Sequence, residues 1–119
     1  AQAFSIRGTV RDPNNKEKMT PLEASLGPAF NDVELVAADL NDAESMEKAI
    51  EGCDYVVHTA SPFPAKNPKN ENEIILPAVN GTKAVLEACH KHRVKRLVLT
   101  SSVVAILDYD NFKDESNEE

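Results

Sequence analysis

Three hydroxyl-bearing residues close the most informative stretch of this sequence, which runs Arg-Leu-Val-Leu-Thr-Ser-Ser at 96–102. Its apolar centre predicts a strand, and Thr100, Ser101 and Ser102 follow at the carboxyl end of that strand. In a parallel α/β sheet, ligands bind at the carboxyl ends of the strands. The stretch therefore predicts a ligand site beyond this strand.

Two earlier stretches have the same design, an apolar strand that leads into small and polar residues. They occupy residues 35–40 and 54–62. Helical patterns separate the three strands, and strands that alternate with helices favour one parallel sheet. We therefore expect a nucleotide-type site along one edge of this sheet.

The predicted elements alternate along the chain. Pro21 is expected to interrupt a weak first helix, and residues 61–72 to form a loop. The fold class that follows is α/β, with a doubly wound parallel sheet and right-handed crossovers. The elements are strands at 4–10, 35–39, 54–60 and from 96 onward, and helices at 16–25, 42–51 and 74–92.

Two helices carry more detailed signals. Asn41 is the expected N-cap of the second helix, with Glu44 completing a capping box, and Gly52 is its expected stop. Pro77 either starts the main body of the third helix or kinks it. The residues expected to face inward from this third helix are Val79, Ala84, Val85, Ala88 and Cys89.

Length and composition narrow the class of protein. The chain has 119 residues, 41% of them hydrophobic, which is enough for one domain but short for an α/β dinucleotide enzyme, so we expect a fragment. It contains no apolar run of about 18 residues and no signal-peptide pattern, which favours a cytoplasmic protein outside the membrane. Cys53 and Cys89 are expected to be unpaired, buried thiols in a reducing compartment.

The net charge of −7 is concentrated in residues 108–119, which hold six acids and one lysine. The rest of the chain is close to neutral, so it has no electrostatic footprint for nucleic acid. The basic residues at 90–96 are expected at a helix carboxyl end, where the helix dipole favours cations. No Cys or His pair has the spacing of a zinc site, so we expect no metal.

Five landmarks of the sequence point to one family. They read Thr-Val-Arg-Asp-Pro at 9–13, Ala-Asp-Leu at 38–40, Gly-Cys-Asp-Tyr-Val-Val-His-Thr-Ala-Ser-Pro at 52–62, Pro-Ala-Val-Asn-Gly-Thr at 77–82 and Leu-Thr-Ser-Ser at 99–102. In order and spacing they resemble the extended short-chain dehydrogenase/reductases, within them the dihydroflavonol reductase-like and aldehyde or ketone reductase-like branch. The resemblance implies an NADP-dependent oxidoreductase that reduces a ketone or aldehyde by hydride transfer.

The resemblance also implies cofactor-binding roles. Arg11 would pair with the 2′-phosphate of NADP, with Lys18 as the helper ahead of Lys16. Asp39 and Leu40 would contact the adenine. The residues expected beside the phosphates, the nicotinamide ribose and the rest of the cofactor are Thr59, Ala60, Ser61, Thr100 and Ser101.

Some of these residues, and His58 as well, have simpler interpretations when the family is set aside. Arg11 and the nearby lysines can be solvated cations beside a turn. Asp39 can be a helix-entry residue. His58 lies in the third landmark, where the apolar strand gives way to polar residues. We expect it to be a hydrogen-bonded core residue rather than a ligand-binding residue.

In this family a serine after the fourth strand stabilises the substrate carbonyl oxygen while a Tyr, assisted by a Lys, donates the proton. The resemblance gives the serine's role to Ser102. Asn80 would anchor a water of the proton relay, or else it packs against backbone near the Pro kink. Regular strand geometry would turn Thr100 and Ser102 to one face and Ser101 to the other.

Two departures from the family pattern stand out. The 119 residues hold no Gly-rich turn about 20 residues before Arg11 and no Tyr-x-x-x-Lys on a long helix after Ser102. Tyr109 and Lys113 match that spacing, but they follow Ser102 too closely and lie in the acidic segment. We therefore expect a partial, Rossmann-like NADP-binding domain at 1–107, lacking its first strand and carboxyl-terminal part, and a frayed acidic tail at 108–119.

On this basis the chain by itself is expected not to turn over NADPH. The alternative to a reductase is a non-catalytic, reductase-like module that acts as a structural or interaction subunit. The expected partner of the enzyme is a small carbonyl compound, and neither that compound nor the oligomeric state follows from the residues.

Overall fold

The computed structural model describes residues 4–62 and 68–105 as alternating strands and helices. Tyr109, Lys113 and the predicted acidic tail lie outside the described residues. This alternation confirms the predicted α/β class. The elements are β1 (Ile6–Val10), α1 (Lys16–Leu26), β2 (Val33–Ala37), α2 (Ala43–Ile50), β3 (Tyr55–His58), α3 (Asn72–Lys91) and β4 (Arg96–Leu99), with 3₁₀ turns at Gly27–Asp32 and Val103–Ala105.

The strands pair in parallel, as predicted, but within the described ranges they form two separate two-stranded sheets. One sheet is β1 with β2, and the other is β3 with β4. Each pairing extends one residue past the strands, because Ala38 donates to the Val10 carbonyl at 2.9 Å and Thr100 to the His58 carbonyl at 3.0 Å. The carboxyl ends within each pair therefore lie side by side.

Arg7 joins the first sheet to the carboxyl end of α2. Its Nη1 donates to the carbonyls of Ala49 at 3.1 Å and Glu51 at 2.8 Å, while its Nε pairs with Glu34 on β2 at 2.8 Å. The hydrogen bond to Glu34 raises the pKa of the guanidinium above its ordinary value. The Arg7 side chain thus ties the carboxyl end of α2 to the β1–β2 pair.

The core lies where α2 and α3 pack against each other and against the end of β2. Val85 is its most deeply buried residue, with 1% of its surface exposed. Half-buried apolar residues of the strands and loops, Leu40 among them, pack on this cluster. The buried members are Ala38, Met46, Ala49, Ile50, Val85, Ala88 and Cys89.

The expected N-cap of α2 is wrong by one residue. Asp42 caps the helix, because its Oδ1 accepts from Glu44 N at 3.1 Å and from Ser45 N at 3.2 Å. Asn41 is occupied otherwise: its backbone N and its Nδ2 both donate to Asp39 Oδ1, at 2.8 and 3.0 Å. The stop at Gly52 is confirmed, with φ of 78° directly after Glu51.

The prediction that Pro21 interrupts the first helix is also wrong, since α1 runs through it to Leu26. Both ends of α1 are well capped. Asn15 Oδ1 accepts from Lys18 N at 3.2 Å, and Gly27, at φ of 54°, donates to the Glu23 carbonyl. Caps at both ends offset the hydrogen bond that a proline removes from the helix.

Two further expectations about burial need correction. Val79 was expected to face inward, but it is 49% exposed. It lies two residues before the buried Gly81, about 200° around the axis of α3, so it points away from α2. Cys53 and Cys89 are both unpaired as expected, although Cys53 is half-buried rather than buried.

Candidate functional site

A cleft of about 510 Å³ opens at the carboxyl ends of β1, β2 and β3. Its walls are residues 9–11, 38–41 and 57–62, with Met46 of α2 between them. Ligands of open α/β sheets bind at this position. The cleft is therefore the candidate site of this protein.

The cleft brings together most of the cofactor residues expected from the sequence. Lys18 lies outside it, exposed on the first turn of α1. Asn80 also lies outside it, exposed on α3. The expected residues that line the cleft are Arg11, Asp39, Leu40, Thr59, Ala60 and Ser61.

Arg11 follows β1 directly and is exposed at the cleft wall. Among the described residues, no hydrogen bond or ion pair holds its guanidinium. The next residue, Asp12, shapes the turn instead, since its Oδ1 accepts from Asn14 N at 2.9 Å. An unpaired guanidinium beside an open cleft is a suitable donor for an anionic group of a ligand.

Asp39 lines the cleft, and only one of its two carboxylate oxygens accepts hydrogen bonds from the described residues. Oδ1 accepts both hydrogen bonds from Asn41, whereas no hydrogen bond reaches Oδ2 from the described ranges 4–62 and 68–105. The backbone N of Asp39 donates to Ser45 Oγ at 3.0 Å, which ties the loop to α2. Asp39 thus helps to shape the entry to α2 without being its N-cap, and one oxygen can accept from a ligand.

His58 ends β3 and is 6% exposed, which places it in the protein interior beside the cleft. Burial lowers the pKa of its imidazole below the ordinary value of 6.5. The ring is therefore neutral near pH 7 and adds no positive charge to the cleft.

We expect the free energy of unfolding to fall as the pH is lowered from about 7 to about 5, because the unfolded chain protonates His58 more readily than the folded chain. The folded pKa is the lower one, so this contribution is complete above the unfolded pKa of 6.5 and is lost below it. Urea denaturation at several pH values measures the slope. His58→Gln should flatten it, whereas His90→Gln, at an exposed position, should not. An unchanged slope in His58→Gln would contradict the assignment.

The three hydroxyl residues after β4 do not continue the strand, which ends at Leu99. Thr100 still pairs with the His58 carbonyl, but the Ser102 carbonyl accepts from Ala105 N at 2.9 Å as a short 3₁₀ turn begins. The alternation of faces expected for 100–102 therefore does not apply. All three residues are exposed and lie outside the cleft wall, with Thr100 next to the end of β3.

Sequence reasoning missed several residues of the cleft. Thr9, Val10 and Ala38 could have been found from their place at the ends of strands. Met46 could not, because it reaches the cleft from α2 and its apolar periodicity predicts only a core position. No group of three His, Cys, Asp or Glu in the described ranges could hold a metal ion.

The fold and the site together define the class of protein. It is an α/β domain of the Rossmann type with a ligand cleft at the carboxyl ends of its parallel strands. The model of the 3-beta hydroxysteroid dehydrogenase/isomerase family matches residues 9–119. The chain belongs to this family. None of the helices in the described part of the chain is long and apolar enough to cross a membrane.

Known reductases resemble this chain over nearly its whole length. Tetraketide alpha-pyrone reductase 1 of Arabidopsis thaliana is 44% identical over 93% of the chain, and the bifunctional dihydroflavonol 4-reductase/flavanone 4-reductase of Malus domestica is 40% identical over 96%. The chain spans 34% of the length of each. The structure of yeast methylglyoxal/isovaleraldehyde reductase with NADPH is also similar, with a TM-score of 0.68 and 28% sequence identity. The match covers 90% of this chain and 32% of the yeast reductase chain. The resemblance to the dihydroflavonol reductase-like branch is thereby confirmed.

Proposed function

We propose that this chain forms part of an NADP-dependent oxidoreductase that reduces a ketone or aldehyde. The observation that carries the proposal is the guanidinium of Arg11, which no described residue pairs with, at the wall of the cleft that Asp39 also lines. A cation suits the 2′-phosphate that distinguishes NADP from NAD. The NADPH in the matching yeast reductase supports the same cofactor class.

In this proposal, residues of the cleft and some of their neighbours would bind the parts of this dinucleotide. Arg11 would bind the 2′-phosphate, assisted by Lys18 from the start of α1. Asp39 Oδ2 would accept a hydrogen bond from the exocyclic amine of adenine, and the Leu40 side chain would cover the ring. The small residues Thr59, Ala60 and Ser61 would let the backbone approach the phosphates and the nicotinamide ribose, with Thr100 and Ser101 beside them.

When bound, the cofactor supplies a hydride to the carbonyl carbon. The Ser102 hydroxyl would donate a hydrogen bond to the carbonyl oxygen and stabilise the charge that develops there. Asn80 would hold a water of the proton relay from its place on α3. These two assignments rest on the family resemblance and on their positions after β4 and within α3.

A competition experiment tests the cofactor class. NADPH fluorescence reports how much of the cofactor is bound. We expect 2′,5′-ADP to displace bound NADPH, and 5′-ADP, which lacks the 2′-phosphate, to displace much less of it. Equal displacement by the two nucleotides would contradict the proposal. Binding of NADPH without carbonyl-dependent oxidation in the longest natural form of the protein would favour a non-catalytic module instead.

We also propose a cytosolic location and a small carbonyl compound as the partner. The unpaired state of Cys53 and Cys89 supports a reducing compartment. Fractionation of cells that express the protein at its natural level tests the location, and recovery in a secretory compartment would contradict it.

A further inference from the structure

Gly81 is buried in the middle of α3, where an alanine would favour the helix more than a glycine does. Its lack of a side chain has a specific consequence. A Cβ at this position would lie 2.9 Å from Leu40 Cδ2, 3.3 Å from Leu40 Cβ and 3.3 Å from the Leu40 carbonyl oxygen. A rotation of the leucine side chain relieves only the first of these contacts. The other two involve atoms fixed by the backbone, and at 3.3 Å they are tighter than ordinary contacts, so the loop itself would have to shift by a few tenths of an ångström.

The loop that rests on Gly81 is also a wall of the cleft. Leu40 packs on α3 and lines the cleft together with its neighbours Asp39 and Asn41. The hydrogen bonds from Asn41 to Asp39 Oδ1 and from Asp39 N to Ser45 Oγ make this loop one unit. A shift of Leu40 away from α3 would therefore carry the Asp39 carboxylate with it.

We infer that Gly81 is a positioning residue for the nucleotide: it sets how deeply Leu40 sits against α3, and so sets the width of the adenine end of the cleft. The inference rests on the proposed function, since it concerns the same cleft. Gly81 does not itself line the cleft, and the described atoms nearest to a Cβ at this position all belong to Leu40. The ligand class it serves is an adenine nucleotide that carries a 2′-phosphate.

The test is the affinity of Gly81→Ala for NADPH and for 2′,5′-ADP. We expect both to bind on the order of tenfold more weakly, the scale of a misfit of about one methylene in a pocket. In the active enzyme, KM for NADPH should rise while kcat stays near its original value. Ile50→Ala is the structural control, because it opens the buried core at the far end of α2 and should lower stability without changing either affinity.

A double variant separates positioning from simple stability. In the Leu40→Gly background, which removes both side-chain atoms of this contact and leaves only the carbonyl oxygen at 3.3 Å, Gly81→Ala should lower the affinity for NADPH less than about threefold. The ¹⁵N amide signals of Asp39 and Asn41 should shift in Gly81→Ala without any ligand. If Gly81→Ala does not fold, the double variant must fold, and its affinity for NADPH must match that of Leu40→Gly within the same range.

The outcomes separate this inference from the proposed function. If the unsubstituted protein prefers 2′,5′-ADP to 5′-ADP and Gly81→Ala binds NADPH with unchanged affinity, the positioning role of Gly81 is overturned. The proposed function is then unaffected. No preference for 2′,5′-ADP in the original protein overturns the proposed function and the inference with it. Unfolding of both the single and the double variant would assign Gly81 to stability and overturn its positioning role.

Discussion

Replacement of Ser102 by alanine is expected to lower kcat on the order of a hundredfold or more, the usual effect of removing one donor to a developing oxyanion. The assay is carbonyl-dependent oxidation of NADPH by the longest natural form of the protein. The Kd for NADPH should change little, because Ser102 is exposed after β4 and outside the cleft wall.

Ser101→Ala is the matched control for this prediction. This substitution removes a serine hydroxyl one residue earlier in the chain. We expect it to affect folding or NADPH binding rather than kcat. A Ser102→Ala variant that is folded and keeps nearly normal kcat would remove Ser102 from the proposed mechanism. A similar loss of kcat in both variants would point to a general disturbance of the segment after β4.

Arg11→Ala is expected to weaken NADPH by about 1.5 to 3 kcal/mol, the value of a hydrogen bond to a charged group. This corresponds to roughly ten- to 150-fold in Kd. NADH should bind almost as before, because it has no 2′-phosphate for the guanidinium to contact. Fluorescence titration of both cofactors against the same protein measures the difference.

Arg96→Ala provides the control, since Arg96 is an exposed arginine at the amino end of β4, away from the carboxyl ends where the cleft opens. It should leave the affinities for both cofactors unchanged. Equal weakening of NADPH and NADH by Arg11→Ala would mean that Arg11 shapes the turn after β1 rather than the choice of cofactor.

The positions of Arg11 and Asp39 show what is predictable at a strand end. Period-two alternation and the turn at Asp12 and Pro13 mark the end of β1, and the carboxyl ends of parallel strands share one edge. These rules involve residues a few positions apart, and they predicted that Asp39 and the segment after His58 lie at one edge of the sheet, whereas the family resemblance added Arg11 to that site. The same local rules could not choose between Asn41 and Asp42 as the N-cap of α2. Both side chains can cap a helix, and the hydrogen bonds between Asn41 and Asp39 decide the outcome.

By itself, therefore, the sequence determined the order of strands and helices, the parallel α/β class, the family and some of the residues around the cleft, namely Arg11, Asp39, Leu40 and residues 59–61. Only the tertiary structure decided that Val79 faces away from α2, that Met46 reaches the cleft and that Leu40 rests on Gly81. The physical reason is the range of the interactions. Periodicity, caps and turns act between neighbours in the chain, whereas the fit of a loop against a helix depends on packing between segments that the sequence places far apart.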